Sequence, residues 1–474
     1  MFFQRFYDDT LAQASYLIGC GATGQALVID PNRDAAQYLR AAEEEDLRIT
    51  HVTETHIHAD FLSGTRELAH RSGAVMHLSD EGGPGWQYAF AKAEGAVLLH
   101  DGDHFMVGNI RFDVLHTPGH TPEHLAFVVT DTAGADAPMG VVTGDFLFVG
   151  DVGRPDLLEK AAKVAGSSDA AARALWASLE KFRALPDHLQ VWPGHGAGSA
   201  CGKGMSAVPQ STVGYEKRFN WALGAATEAE FVAQVLADQP EPPKYFAEMK
   251  RLNRDGPPLL GEIKRPPRLT PDRLPALLAE GATVVDARPS AQYAARHVPG
   301  TIHIPLGRSF TTWAGWLLSY DAPFYLLVSG DSPDRLDKAL YDLALIGLDG
   351  AAGWFGGDAI TAWGDGGRAY AATAAMTPEE LLSRHETGEV AVVDVRGLAE
   401  WNAGHLTGVD HVPLGYLLDQ IGTIPTDRPV VLHCQGGGRS LIAASLLESR
   451  GVTDVINLTG GFGAWQKAGL PVER

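Results

Sequence analysis

Cysteine is scarce in this chain. Among 474 residues there are three, Cys20, Cys201 and Cys434, far apart and odd in number. That excludes a disulfide framework and makes a reducing cytoplasm the expected compartment. Cations are short as well, Lys+Arg 38 against Asp+Glu 58, for a formal charge of −20 at pH 7. Such a surface repels phosphate backbones and anionic headgroups, so neither nucleic acid nor a membrane is expected as a partner. No apolar run reaches the ~20 residues that span a bilayer. The opening MFFQRFYDDT carries two acids and no long apolar stretch, unlike a secretory leader. What is present, 45% hydrophobic and 20% charged residues, describes globular domains. The length exceeds one ordinary core, so roughly two to four domains are expected.

The first half alternates short apolar strands with histidine-bearing loops and helices. QALVID (Gln25–Asp30), RITHVTETH (Arg48–His56) and VVTGD (Val141–Asp145) read as strands that end in acids or histidines, where α/β folds place ligands. RLNRDGPPLLGEIKRPPRLT (Arg251–Thr270), with four prolines, reads as a connector. An internal repeat follows. VVDARPSAQYAARHVPGTIHIPLG (Val284–Gly307) matches VVDVRGLAEWNAGHLTGVDHVPLG (Val392–Gly415), pairing Asp286 with Asp394, Arg288 with Arg396, His297 with His405 and Pro305 with Pro413 at one constant offset. The boundaries expected are 1–252, a linker over 253–269, then α/β domains over 270–370 and 377–474, the last two joined by GGRAYAATAAM.

Five positions in the first half have metal-ligand chemistry: His56 and His58 in THIHAD, His120 in HTPGHTPEH, Asp145 in VVTGD and His195 in WPGHG. Each lies beside Gly or Pro turns after a strand, as a loop-built metal site requires.

THIHAD, TPGHT, TGD and PGH, in that order, resemble the metallo-β-lactamase fold over about residues 1–250. The resemblance implies an αββα sandwich. In two-metal members such as glyoxalase II, the residue after the motif aspartate is a histidine ligand of the second metal. Here that residue is Phe61, while Asp60 and His195 are kept. One metal is therefore expected. The chain most resembles the persulfide dioxygenase branch, which implies one Fe(II) per chain on His56, His120 and Asp145, with no organic cofactor. His58, Asp60 and His195 would then orient ligands or water. Ligand type alone leaves zinc open, and with it a zinc thioester hydrolase of the glyoxalase II type. The loop GSACGKGMSAVPQSTVGYEKR (Gly198–Arg218) suits an anionic thiol such as glutathione persulfide, with Tyr215, Lys217 and Arg218 as candidate contacts. Cys201 is either a small buried residue or a thiol that relays sulfur.

Near the C-terminus, VVLHCQGGGRS places Cys434 where an apolar strand meets a glycine-rich loop and a helix. Backbone N–H groups of Gln435, Gly436, Gly437, Gly438 and Ser440, with the helix N-terminus, can stabilise an anionic sulfur there. Arg439 adds a fixed charge for an anionic donor or acceptor. The last domain resembles rhodanese, and the six-residue loop Cys434–Arg439 is one residue shorter than that of the related phosphatases, which favours sulfane sulfur. The middle repeat resembles rhodanese in frame only. Ser329 stands in the cysteine's place, with Asp331 and Asp334 where glycine and arginine would be, so an inactive domain is expected. Together the resemblances imply a persulfide dioxygenase joined to a sulfurtransferase. Its partners would be small molecules: a thiol persulfide, dioxygen, sulfite and thiosulfate. The sequence is compatible with a homo-oligomer and fixes no oligomeric state.

Overall fold

A computed structural model describes residues 1–160, 166–330 and 333–474. They divide into two compact units, Met1–Glu262 with Ala344–Gly347, and Ile263–Leu343 with Leu348–Arg474. Among the described residues no helix is long and apolar enough to cross a membrane.

The first unit is an αββα sandwich. One six-stranded sheet runs in sequence order through Phe2–Asp8, Gln13–Cys20, Gln25–Ile29, Arg48–Thr53, Val75–Ser79 and Val97–Leu99. The other runs Ser211–Thr212, Gln190–Pro193, Gly140–Gly144, Leu125–Asp131, Ile110–His116 and His104–Val107. Strand alternation gives each sheet two apolar faces. Along Gln13–Cys20, Tyr16 and Ile18 enter the core shared with Phe112, Phe127, Val142 and Trp192 of the second sheet. Leu17 turns the other way, toward Tyr38 and Leu68 on the helices Ala35–Glu44 and Thr65–Ser72. Ser167–Arg183 and Glu228–Leu236 cover the second sheet through Leu175, Phe182 and Phe231. The strands Gln25–Ile29, Arg48–Thr53 and Gly140–Gly144 stop just short of Asp30, His56 and Asp145, which lie at the sheet ends.

The second unit holds two parallel sheets. The four-stranded one has the order Ile302–His303, Thr283–Asp286, Phe324–Leu327, Ala351–Phe355. The five-stranded one has the order Ala374–Met376, Val455–Leu458, Val430–His433, Ala391–Asp394, Asp410–His411. Each is the parallel α/β arrangement expected of the repeat. Their shared residues are scaffold. Arg288 and Arg396 each grip the aspartate two positions back, at 2.6 Å, and His297 and His405 stack on Tyr293 and Trp401. The helix Gly438–Ser449 is buried from Ser440 through Leu447, because the middle repeat covers a face that would otherwise meet water. His303 N–H donates to Ser445 Oγ at 2.8 Å, and His297 Nε2 lies 3.1 Å from Glu448.

Two segments expected as connectors carry regular structure. Helix Tyr245–Asp255 runs through residues 253–255, and Ala374–Met376 of the joining segment forms an edge strand. The helix buries Tyr245, Phe246, Met249 and Asn253 along one face, and the strand is held by pairing with Val455–Leu458.

Candidate functional site

His56, His120 and Asp145 meet at the strand ends of the first unit, with their ligand atoms within 4.8 Å of one another and all three buried. Asp145 Oδ2 lies 3.9 Å from His56 Nε2 and 3.5 Å from His120 Nε2. Its other oxygen, Oδ1, lies 3.5 Å from His195 Nε2, which is 3.2 Å from Asp60 Oδ2.

The protonation of each ring follows from its partner. His120 Nδ1 and His195 Nδ1 face the carbonyl oxygens of Arg154 (3.1 Å) and Ala12 (3.0 Å). A carbonyl only accepts, so both Nδ1 atoms carry the proton and both Nε2 lone pairs are free for a cation. His56 Nδ1 meets Thr55 Oγ1 at 3.0 Å, and that hydroxyl spends its own proton on Asp30 Oδ2 at 2.9 Å. Hence His56 also presents a free Nε2. His124, the neighbouring ring, is excluded on the same logic, because its Nε2 accepts from the Asp145 backbone N–H at 3.1 Å. Burial, with the neighbouring imidazoles, holds His56 well below its ordinary pKa and His120 down at about 3, so both stay neutral. Burial pushes Asp145 up to about 6, against the opposing pull of His195.

These atoms lack hydrogen-bond partners. His56 Nε2, both oxygens of Asp145 and both of Asp60 are buried and unsatisfied. Buried polar atoms are nearly always paired, so a cluster of orphaned lone pairs fits a metal cation. Close glycines keep room for it: a Cβ at Gly153 would lie 1.8 Å from Asp145 O, and one at Gly194 would lie 2.6 Å from Asp145 Oδ1.

His58 does not face this trio. Its Nε2 donates to Asp30 Oδ1 at 3.1 Å, and its ring packs on Phe61 at 4.3 Å between centroids. Burial opposes its charge, but Asp30, with Glu54 and Asp60, outweighs burial and lifts its pKa to about 9. Asp30 also accepts from Thr55 N at 2.6 Å. It thus braces the whole THIHAD turn, at a positive φ of 53°.

Sequence reasoning missed three supports. Asp30 was visible only as an acid ending a strand. Asn253, inside the expected linker, donates to the carbonyls of His58 (2.7 Å) and Phe61 (2.8 Å) and accepts from Ser63 N (2.9 Å). Arg154 is fully buried and forked to Asp156, and it donates to Ala200 O at 3.1 Å while its backbone N–H donates to Cys201 O. No local pattern marks Asn253 or Arg154.

Cys201 is buried and clusters with Asp60 and His195. Of the other candidate contacts, Tyr215 is exposed and packs on Phe219, Lys217 is tied to Asp187 Oδ1 and Leu185 O at 2.6 Å, and Arg218 lies over Phe219. The inward charge of their helix is Glu216, which accepts from Gly150 N and Asn220 Nδ2.

In the second unit Cys434 follows strand Val430–His433 and is 2% exposed. Gly437 N–H donates to its Sγ at 3.1 Å, with Ser440 Oγ at 3.5 Å. Gly437, at φ 93°, makes the turn into the helix that starts at Gly438. Gln435 and Gly436 are exposed over the sulfur's loop. Phe462 N–H and Gly463 N–H donate to Cys434 O and Gln435 O, a close approach that a Cβ at Gly461 would block at 2.2 Å. Arg439 is in a fork with Glu400, 2.6 and 2.7 Å, so its charge is already balanced. In the middle repeat, Ser329 has a buried hydroxyl without a partner, and Asp334 opens a helix at the surface. Asp331 lies outside the described residues.

The arrangement offers a cation pocket of two imidazoles and one carboxylate, and a separate thiol that accepts from the Gly437 N–H and the Ser440 hydroxyl. Residues 8–195 match the metallo-beta-lactamase superfamily, and residues 270–348 and 377–468 match the rhodanese-like domain. A crystal structure of a metallo-beta-lactamase from Staphylococcus aureus subsp. aureus COL is 46% identical with a TM-score of 0.69, covering 75% of this chain and 99% of that one. The beta-lactamase hydrolase-like protein of Xylella fastidiosa is 29% identical over 48% of this chain and 54% of its own length. The chain thus spans about half the length of the first curated relatives it matches. The mitochondrial persulfide dioxygenase ETHE1 of Bos taurus is 28% identical over 48% of this chain and 78% of its own.

Proposed function

Because this chain belongs to the metallo-β-lactamase superfamily and also carries rhodanese-like domains, we propose that it is a persulfide dioxygenase joined to a thiosulfate sulfurtransferase. The observation that carries the first activity is the buried trio His56, His120 and Asp145 with its orphaned donor atoms. Two imidazoles and one carboxylate with open positions suit Fe(II) and dioxygen. An iron held there would supply dioxygen activation beside the persulfide sulfur. The overall reaction takes a thiol persulfide, dioxygen and water to the thiol, sulfite and two protons.

The chain's own residues set the conditions. Carbonyl and hydroxyl partners on the three Nδ1 atoms orient His56, His120 and His195 with Nε2 toward the cation position. Burial excludes bulk water and strengthens each interaction there.

Cys434 carries the second activity. Its thiolate attacks the sulfane sulfur of thiosulfate, the sulfur–sulfur bond breaks, and sulfite leaves with the bonding pair. The resulting persulfide anion is stabilised by the Gly437 N–H and the N-terminus of helix Gly438–Ser449. In reverse, sulfite takes that sulfur and thiosulfate forms. The sulfite made at the first site is therefore a substrate for the second.

Oxygen-electrode traces with glutathione persulfide and Fe(II)-loaded protein test the dioxygenase. Uptake matched by sulfite release is expected, and thioester cleavage without oxygen uptake would overturn it. Cys434→Ser is expected to abolish thiosulfate formation and leave oxygen uptake in place.

A further inference from the structure

The two repeats end a helix in the same way and put that end to different use. Helix Pro333–Leu345 stops at Gly347, φ 72°, whose N–H donates to Ala344 O at 3.0 Å while Leu348 N–H donates to Leu343 O at 3.0 Å. Helix Gly438–Ser449 stops at Gly451, φ 89°, with the matching bonds to Glu448 O at 3.0 Å and Leu447 O at 3.1 Å. Both are the glycine turn that closes a helix on its own last carbonyls. Their surroundings differ. Arg450 and Gly451 are exposed, and nothing lies within 4 Å of the place a Cβ on Gly451 would take. In the middle repeat Leu345, Ile346 and Leu348 stand where the last has Ser449, Arg450 and Val452, and all three are buried. A helix end turned apolar is an end that something covers.

Residues Ala344–Gly347 fold as part of the first compact unit. The glycine turn satisfies the carbonyls of Leu343 and Ala344 and leaves that of Leu345 without a partner from its own helix. Leu62 N–H donates to it at 2.7 Å. The carbonyl of that same peptide, Phe61 O, accepts from Asn253, so both sides of the Phe61–Leu62 peptide are held. Buried Arg33 donates to Ala344 O at 3.2 Å and to Pro258 O at 3.1 Å, which sets a cation at the negative end of the helix. A Cβ on Gly347 would lie 3.2 Å from Leu62 Cδ2 and 3.5 Å from Met249 Cε and Leu252 Cδ1. Met249 and Leu252 share helix Tyr245–Asp255 with Asn253. The turn is thus fitted both to the loop that carries His56, His58 and Asp60 and to the helix that braces this loop.

We propose that the turn Ala344–Gly347 is a positioning element of the first metal site, acting through Leu62 and Arg33. The repeat that has Ser329 in place of the loop cysteine thereby serves the metal chemistry of the chain, by fixing the backbone just after Asp60. This role rests on the trio as a metal site and holds whichever reaction runs there.

For the test, the full chain is stripped of metal and titrated anaerobically with Co(II) against a chelator of known strength, with the visible d–d bands reporting ligand geometry. Gly347→Val crowds Leu62. It is expected to weaken the first Co(II) equivalent about 10-fold, the low end for groups that stand behind a ligand, and to shift the bands. Gly451→Val puts the same side chain on the same left-handed backbone where it touches nothing. It is expected to leave the affinity within about 2-fold of wild type and the bands in place. Arg33→Gln is expected to weaken the metal in the same direction, and Arg33→Lys, which keeps a cation at the helix end, to recover most of the loss. Wild-type affinity and bands in Gly347→Val, or an equal change in Gly451→Val, overturn the role. Should Gly347→Val fail to fold, the Arg33 pair decides, and Arg33→Gln with wild-type affinity and bands overturns it. No oxygen is consumed in these measurements, so the dioxygenase assignment and this role can fail separately.

Discussion

Arg439 and Glu400 hold each other in a two-pronged ion pair, 2.6 and 2.7 Å, at the mouth of the Cys434 loop. Glu400 also accepts from Gly397 N–H and so helps to start its own helix. Burial raises the Glu400 carboxyl, but Arg439 outweighs it and leaves the group below its ordinary value. The loop's only cation is thus neutralised before an anion arrives. Glu400→Gln keeps the side chain's shape and frees the guanidinium. Its expected effect is a drop in KM for thiosulfate of about 5-fold, the yield of one partly screened charge. Steady-state sulfurtransferase assays at low and high salt check it, and a KM that does not move would mean that Arg439 does not meet the substrate.

Phe61 is fully buried against His58. Phe61→His puts an imidazole directly after Asp60 and is expected to let a second metal bind in a Co(II) titration. It also costs about 1–3 kcal/mol of stability, because a buried ring gains polar atoms with no assured partner. Metal counting together with urea denaturation separates the two effects. An unchanged metal count would sink the link between Phe61 and metal number.

Asn253 satisfies three backbone groups of the THIHADFLS turn, His58 O, Phe61 O and Ser63 N, from a distant helix. Asn253→Ala strands them in a buried place and is expected to destabilise by about 2–4 kcal/mol. With its turn loosened, metal affinity is expected to fall about 10–100-fold although no ligand is touched. Competition with a chelator of known strength gives the affinity, and equal affinity in the variant would refute the bracing role.

His433 is buried beside Cys434, with no hydrogen-bond partner on either ring nitrogen. Burial, partly opposed by Asp394, pushes its pKa down to about 4, and burial does the same to His303 in the middle repeat. An unfolded histidine titrates near ~6.5. Below that pH the unfolded chain binds protons that the folded one refuses, so stability falls with falling pH. The contribution is complete above about pH 6.5 and is lost progressively toward pH 4, on the order of 3 kcal/mol per histidine. Urea midpoints at pH 7 and pH 5 should therefore differ less for His433→Asn than for wild type.

Much of this could be read along the chain. Strands ending at Asp30, near His56 and at Asp145, the repeat built on Asp286/Arg288 and Asp394/Arg396, and the Cys434 loop are local patterns. Backbone preference and apolar alternation write such patterns into neighbouring residues, where sequence displays them. His56 also announces itself by the His-x-His spacing with His58, and His120 and Asp145 by their glycine and proline neighbours.

What the sequence could not display was who stands behind these groups. Whether His124 or His120 offers its lone pair is decided by the Asp145 N–H that His124 accepts and the carbonyl that His120 meets. Asn253 is 192 positions from the Phe61 carbonyl it holds. The charge read into Arg439 is cancelled by Glu400, 39 positions away. Cys201 looked alone until folding set it beside Asp60 and His195. Residue type and local pattern alone determined the fold class and the candidate chemistry. Only the tertiary structure decided which lone pairs stay free and which charges are spent, because hydrogen bonds and ion pairs depend on distance in space and carry no trace of separation along the chain.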